Sequence, residues 1–241
     1  MRIAGAGALL GVLAFAGCYG STEPATDIQQ DSVRLNARGT ANNGPAVSHF
    51  EYSPTNGTGF TRSTDQRSWP AGASGAFSDT VTGLLPATPY EFSLCWRDSS
   101  SASTVCGQKR TFTTVKPPGD GVEAIFWASP PPPRVAQVTV SARSGPAGQQ
   151  PSGTIHTPEF VGFVTCLRVV GDRAAVVSVG QDSTQNDPGP EYLWYTFAGP
   201  AEGLSNGGRG DGTGPSCSSL SLGDPNFPTP GFYEIAIWDS P

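Results

Sequence analysis

Apolar side chains recur at every second position in most of the segments that lie between glycine- and proline-rich turns. The clearest case is residues 90–97, Tyr-Glu-Phe-Ser-Leu-Cys-Trp-Arg, where large apolar residues alternate with small or polar ones. A repeat of two residues is typical of a β-strand that buries one face and leaves the other toward solvent. We therefore predict a half-buried strand here, with Tyr90, Phe92, Leu94 and Trp96 facing inward.

The same pattern predicts strands throughout the chain and favours helix nowhere after residue 18. In the first half the strands fall at 25–30, 31–40, 47–52, 77–84 and 104–115, with a loop at 53–76. In the second half they fall at 122–127, 134–142, 159–170, 173–179, 191–197 and 232–238, with a loop at 199–230. Gly171-Asp172 has the chemistry of a two-residue hairpin turn. The predicted fold class is all-β, with antiparallel sheets.

The corner that leads into the Tyr90 strand carries a family resemblance. Leu84, Pro86, Thr88 and Tyr90 follow the pattern Leu-x-Pro-x-Thr-x-Tyr, which resembles the tyrosine corner of fibronectin type III domains. The run His49-Phe50-Glu51-Tyr52 is similar to the third strand of such modules on bacterial surfaces. The resemblance implies a fibronectin-like β-sandwich over residues 22–116.

The second half resembles a different group of proteins. The pattern Gly-x-Val-x-Cys-Leu-x-Val-x-Gly-x-x-Ala, which runs from Gly162 to Ala174, is similar to an uncharacterised all-β domain of secreted bacterial proteins. It implies a fold and no activity. Residues 116–120, Lys-Pro-Pro-Gly-Asp, have the composition of a linker, so we predict a second antiparallel β-domain at 121–241.

The N-terminus predicts export. After Arg2 comes a short uncharged apolar run that ends at Phe15-Ala16-Gly17-Cys18. The run is too short for a stable membrane span and is typical of a cleaved signal peptide. The last four residues resemble a bacterial lipobox, although Phe15 departs from the leucine preferred there. We predict a lipoprotein signal peptide at 1–17 and a lipid anchor on Cys18 that attaches the protein to the cell envelope, outside the cytoplasm; the alternative is ordinary cleavage nearby.

Four of the five cysteines remain once Cys18 is assigned to the lipid. An exported protein can oxidise all of them, and three pairings are possible. We favour pairing within each half, Cys95 with Cys106 and Cys166 with Cys217. Strand alternation places Cys95 outward and Cys106 on the same side as Phe112, so the first pair requires a β-bulge near Gly107.

Charge and composition exclude several partners. The net charge is −6, and no run of like charges occurs, so the chain offers no basic surface for nucleic acid or anionic lipid. High glycine and proline contents, 31 and 23 residues, agree with a protein rich in turns. We predict a monomer without a cofactor or a metal.

Few residues have catalytic chemistry. His49 and His156 are the two histidines, and both are interpreted as structural or solvated. Asp182, Asp187 and Glu191 place three carboxylates in one predicted loop that could bind Ca²⁺, although solvation is the simpler interpretation. Arg209-Gly210-Asp211 matches an integrin-type tripeptide, and Pro130–Pro133 a polyproline connector; neither predicts a function by itself.

Aromatic residues provide the best indication of a ligand. Trp127, Trp194, Tyr195 and Trp238 could form a stacking platform. Because Trp194 and Tyr195 are adjacent in one strand, their side chains point to opposite faces, and one of them is expected to leave the core. We therefore predict a non-catalytic, lipid-anchored module that binds an extracellular protein or glycan near Trp194 and Tyr195. The alternatives are an accessory or small enzyme acting on extracellular polysaccharide and a structural spacer.

Overall fold

The computed structural model consists of β-strands joined by turns. It describes residues 19–42, 44–55, 61–98, 101, 103–127, 136–145, 148–182, 191–198, 204–211, 214–222 and 232–239. These residues contain no α-helix, and none of them belongs to a helical segment with the length and apolar character needed to cross a membrane. The predicted all-β class is confirmed. The signal peptide and Cys18 lie outside the described residues.

Two sheets form the N-terminal part. The first contains β1 (Tyr19–Thr26), β2 (Ser32–Thr40) and β6 (Ser74–Thr82) in the order β1-β2-β6. The second has six strands, namely β3 (Ala46–Pro54), β4 (Arg62–Ser63), β5 (Arg67–Trp69), β7 (Pro89–Asp98), β8 (Val105–Cys106) and β9 (Arg110–Thr113). Their inner faces share one apolar core, so we call this part the N-terminal sandwich. Its largest fully buried side chains are Phe50, Tyr90, Phe92, Leu35, Leu94 and Val33.

The large side chains of β7 face the core as predicted, but the strand is not half-buried, because Ser93 and Cys95 on its other face are buried as well. Phe92 and Leu94 are each 1% exposed, and Trp96 packs on Trp69 with the ring centroids 5.2 Å apart. The Tyr90 hydroxyl accepts a hydrogen bond from the Leu85 backbone N–H at 3.0 Å, which is the bond of a tyrosine corner. The corner is tied down further by Thr114, whose hydroxyl donates to the Leu85 carbonyl at 2.6 Å.

Replacing Tyr90 with Phe tests this corner. We expect the variant to lose about 1–3 kcal/mol of unfolding free energy, because the buried Leu85 N–H would have no acceptor. Equilibrium urea unfolding measures the loss. Tyr192→Phe is the control, since the Tyr192 hydroxyl has no hydrogen-bond partner among the described residues, and it should change stability by less than about 0.5 kcal/mol. Equal losses in both variants would contradict the role given to the corner.

Eight strands form a single sheet in the C-terminal part. They are β10 (Asp120–Trp127), β11 (Ala136–Ser144), β12 (Ser152–His156), β13 (Phe160–Val170), β14 (Arg173–Asp182), β15 (Glu191–Ala198), β16 (Leu204–Asp211) and β17 (Phe232–Trp238). Sequential strands pair as antiparallel neighbours from β10 to β16, and β17 adds beside β10. Val170 pairs with Arg173 across Gly171-Asp172, which confirms the predicted hairpin.

This sheet curls until distant strands face each other. Phe126 on β10 stacks on Phe197 on β15 with the ring centroids 6.2 Å apart, although four strands separate β10 from β15 in the sheet. The concave face therefore encloses its own core, and we call the opposite side the outer face. The core includes Ile155, Phe160, Val164, Leu167 and Val176, with others.

Both favoured disulfides are present. Cys95 is bonded to Cys106 and Cys166 to Cys217, with Cα–Cα distances of 4.0 and 6.0 Å. The required irregularity near Gly107 is also present: Cys95 pairs with Cys106, whereas Phe92 pairs with Arg110, one residue out of step. Cys95 faces away from the core as predicted, but it is fully buried because neighbouring side chains cover it.

Two predicted loops are wrong in part. The segment 199–230 contains strand β16, and the segment 53–76 contains β4, β5 and the beginning of β6. Arg209-Gly210-Asp211 therefore lies in a paired strand, with Gly210 opposite Tyr192, and not at the tip of a loop. The first strand, predicted at 25–30, instead lies earlier, as β1 (Tyr19–Thr26).

The two parts touch through a small apolar contact. Leu85 and Ala87, from the tyrosine corner, pack against Ala236 and Trp238 on β17. Beside this contact lies a polar cleft of about 590 Å³, whose walls come from both parts. The Arg143 guanidinium donates to Glu123 at 2.9 Å on one wall, so these two charges of the cleft already satisfy each other.

Candidate binding face

The outer face of the curled sheet carries several apolar side chains that are exposed to solvent. Phe163 is 67% exposed and Val161 is 48% exposed, whereas their neighbours Phe160 and Val164 on the same strand are in the core. Large exposed apolar residues that stand singly need no explanation, but a contiguous group indicates an interaction site.

Strand register makes this group contiguous. Phe163 on β13 lies opposite Val179 on β14, and Val179 lies opposite Tyr192 on β15. Val179 and Tyr192 are half-buried, as is Trp194, which is two residues further along β15 and therefore on the same face. We call the set Val161, Phe163, Val179, Tyr192 and Trp194 the apolar stripe. Phe163 and Tyr192 are two strand spacings apart, about 10 Å.

The stripe ends where a covalently held segment begins. The segment 214–222 crosses the outer face and is fixed by the Cys166–Cys217 disulfide. It covers the next row of the sheet, where Val177 is only 1% exposed. A side chain at Gly214 would overlap the Tyr192 ring, so this segment lies directly against one side of the stripe. Among the described residues no segment covers the other side, in agreement with the exposure of Phe163.

Polar groups border the open side. His156 lies directly opposite Val161, and Thr154 lies opposite Phe163, both on β12 and both on the outer face. His156 is exposed, so its imidazole can accept or donate a hydrogen bond beside the stripe. The arrangement combines apolar area with hydrogen-bonding groups at its border, which is the composition of many ligand sites.

The predicted aromatic pair separates as expected for adjacent strand residues. Trp194 lies on the outer face, with its indole over Gly208 of β16, where any side chain would overlap the ring. Tyr195 lies on the core side near Phe197, at 6.4 Å between ring centroids. Burial raises the pKa of the Tyr195 phenol. Of the pair, only Trp194 therefore belongs to the stripe.

The remaining sequence candidates do not converge on one cleft among the described residues. Glu191 is 6% exposed at the start of β15, and Trp238 is 3% exposed at the contact between the two parts. The side chains of Asp182 and Trp127 are outside the described residues, as are Asp187 and Pro130–Pro133. His49 lies on the N-terminal sandwich, with Nε2 3.5 Å from Oε1 of Glu51.

Sequence reasoning missed Phe163, Val161 and Tyr192 as members of a site. Residues 159–170 are almost continuously apolar, so the pattern gave no reason to place any of them on a surface. A signal was available in the alternation itself, because Phe160 and Phe163 are an odd number of positions apart and cannot share a face of a regular strand.

Comparisons with known proteins give a likeness of fold for part of the chain. The chain matches no family model and no curated protein. Among solved structures, a longer and a shorter form of the sensor domain of the anti-sigma factor RsgI4 from Pseudobacteroides cellulosolvens are similar to it. The longer form is 18% identical, with a TM-score of 0.33, and the match covers 41% of this chain and 90% of that one. The shorter form is 15% identical, with a TM-score of 0.34, and the match covers 43% of this chain and 99% of that one. Scores this low carry no argument about function.

Proposed function

We propose that the protein is an exported, non-catalytic binding module that recognises a glycan through the apolar stripe. The observation that carries the proposal is the contiguity of Phe163, Val179 and Tyr192 across three strands, with Phe163 67% exposed. Sugar rings have one apolar face of C–H groups and a periphery of hydroxyls. An aromatic and aliphatic surface bordered by His156 and Thr154 complements both.

The rigidity of the stripe supports binding. Its side chains stand on paired strands, and the disulfide-held segment supports Tyr192 from one side. A surface that is ordered before binding loses less conformational entropy when the ligand arrives. The stripe therefore resembles a preformed platform.

The location of the protein belongs to the same proposal. The apolar run before Cys18 indicates export, and the two disulfides are typical of a protein that folds in an oxidising compartment. We propose that lipid on Cys18 holds the chain at the cell envelope, with a fibronectin type III-like domain at 22–116 placing the domain at 121–241 away from the membrane. The arrangement of three strands packed on a second sheet, together with the Tyr90–Leu85 hydrogen bond, supports the fibronectin assignment.

The test is a glycan array probed with the chain that follows Cys18. We expect binding that falls at least about tenfold when Phe163 is changed to Ser, because removal of one central apolar contact from a small interface costs more than about 1.4 kcal/mol. Trp194→Ala should weaken binding of the same glycan. Val105→Ser is the matched control, since Val105 is 69% exposed on the other part of the molecule and should leave binding unchanged.

Three results separate this proposal from its alternatives. If all three variants still bind the glycan, the ligand binds elsewhere, and the role proposed for the stripe is contradicted. If the protein binds no glycan but binds a purified envelope protein, and Phe163→Ser abolishes that binding, the ligand is a protein. If the protein binds neither glycans nor proteins, the structural spacer is the alternative that remains.

A further inference from the structure

A second group of chemically active side chains lies on the outside of the N-terminal sandwich, far from the apolar stripe in sequence. His49 on β3, Cys95 on β7 and Cys106 on β8 form one row across three adjacent strands, because His49 pairs with Cys95 and Cys95 with Cys106. All three face away from the core. Glu51 follows His49 by two residues and therefore shares that face.

The ligand atoms of this row are close together. Nε2 of His49 lies 3.5 Å from Oε1 of Glu51, and Sγ of Cys106 lies 3.8 Å from Oε2 of Glu51. The ligand atoms of His49, Glu51 and Cys95 all lie within 4.8 Å of one another. One nitrogen, one carboxylate and the Cys95 sulfur are thus gathered at one point of the sheet, and the Cys106 sulfur lies beside them, next to Glu51 and bonded to Cys95.

These separations match the spacing of ligands around zinc. Tetrahedral zinc binds sulfur at about 2.3 Å and nitrogen or oxygen at about 2.0 Å, so its ligand atoms lie about 3.3–3.8 Å from each other. The observed distances of 3.5 and 3.8 Å fall in that range. In the oxidised protein, however, the two sulfurs are bonded to each other and have no thiolate to offer.

We propose that reduction of the Cys95–Cys106 disulfide converts this row into a Cys₂-His-Glu zinc site. A dithiol or phosphine reductant supplies two electrons, the S–S bond breaks, and two protons give the two thiols. Zinc then binds both sulfurs as thiolates with release of those protons, together with Nε2 of His49 and the carboxylate of Glu51. A small-molecule disulfide that accepts the two electrons, and is reduced to two thiols with protons from solvent, re-forms the S–S bond and releases the metal, so the disulfide and the zinc exclude each other.

The surroundings permit both steps. Cys106 is exposed and can be attacked by an external reductant, whereas Cys95 is fully buried and would leave as the second sulfur. A small cleft of about 60 Å³ opens beside Glu51 and is also lined by Ser93, Glu91 and Lys109. Of the four ligands, Glu51 is the one that lines this cleft.

The other disulfide provides an internal comparison. Among the described residues, His49, Glu51 and Cys95 form a cluster of potential metal ligands, whereas Cys166 and Cys217 belong to no such cluster. Cys217 Sγ instead lies 3.7 Å from the backbone carbonyl of Ala175. Reduction of that pair should therefore create two thiols without a tetrahedral site.

The experiment titrates the chain that follows Cys18 with Co²⁺ and then with Zn²⁺, before and after reduction by a phosphine. We expect no tight binding to the oxidised protein. The reduced protein should bind one metal ion, with the thiolate-to-cobalt absorption of a tetrahedral site, and Zn²⁺ should displace the cobalt. Cys95→Ser combined with Cys106→Ser should abolish that absorption, although the Cys166–Cys217 thiols remain available.

Two conservative variants test the non-sulfur ligands. His49→Asn and Glu51→Gln should each weaken the binding at least about 100-fold, since even the loss of a residue that only orients a ligand costs 10- to 100-fold. Unchanged affinity in both variants would overturn the proposal, because it would show that the thiols alone hold the metal. Circular dichroism controls for folding: if reduction unfolds the sandwich, added Zn²⁺ must restore its β-sheet spectrum, and failure to do so also overturns the site.

Discussion

Replacing Phe50 with Ala is expected to lower the unfolding free energy of the N-terminal sandwich by about 3–5 kcal/mol, the cost of a phenyl-sized cavity in a core. Phe50 is fully buried, and its ring centroid lies 5.2 Å from that of Phe77 and 6.2 Å from that of Phe92. Phe77 belongs to the opposite sheet. The Phe50 ring therefore contacts both sheets, and movement within one sheet alone cannot fill the cavity that its removal leaves. Urea unfolding followed by tryptophan fluorescence measures the change.

Val105→Ala is the control for Phe50→Ala. Val105 is 69% exposed in the same part of the molecule, and its truncation should change stability by less than about 0.5 kcal/mol. A loss below about 1 kcal/mol in Phe50→Ala would show that the two sheets do not depend on this contact.

The second large effect concerns the Cys166–Cys217 disulfide. Changing both residues to Ser should destabilise the C-terminal part by about 4 kcal/mol. The bond closes a loop with a sequence separation of 51 residues and thereby lowers the conformational entropy of the unfolded chain. The segment 214–222 should also detach from the outer face, since the disulfide is its covalent attachment. Thermal unfolding and amide hydrogen exchange of residues 214–222 would report the two consequences.

The other disulfide supplies the comparison for this prediction. The Cys95–Cys106 bond closes a separation of 11 residues, and its removal should cost about 3 kcal/mol on the same chain-entropy argument. If the bond with the shorter separation proved to be the more stabilising of the two, native-state contacts would have to dominate over loop closure.

Strand positions were predictable where alternation was strong. The segment 90–97 alternates large and polar residues without interruption, and its four large side chains are buried in the structure as expected. The β-bulge near Gly107 followed from the same arithmetic, because the two cysteines could pair only if one residue dropped out of register. Such conclusions need local sequence alone.

Strand β16 was not predictable because glycine has no side chain to alternate. The segment 204–211, Leu-Ser-Asn-Gly-Gly-Arg-Gly-Asp, has the composition of a loop. In the structure Gly208 is required by Trp194, whose indole occupies the space of a side chain at that position. The reason for the glycine therefore lies on the neighbouring strand, and no window of sequence contains it.

The candidate binding face was predictable in one residue only. Adjacent Trp194 and Tyr195 had to face opposite sides of a strand, so one of them had to leave the core. That Phe163 and Val179 lie in one row with Tyr192 depends on the register of β13, β14 and β15. The hairpin at Gly171-Asp172 sets the pairing of the first two strands as far as Cys166, and the register shift between Val164 and Cys166 then places Phe163 opposite Val179. The third depends on residues 183–190, which carry no comparable signal.

The one-residue step between β8 and β9 constrains how this strand can change in length. Cys106 and Phe112 are an even number of positions apart, yet the sulfur points to one side of the sheet and the ring to the other. Removal of one residue between them would leave a separation of five, at which a regular strand already points the sulfur and the ring to opposite sides, so the irregularity would no longer be needed. A deletion of one residue near Gly107 thus costs the chain neither its covalent clip nor the aromatic ring of Phe112 in its interior.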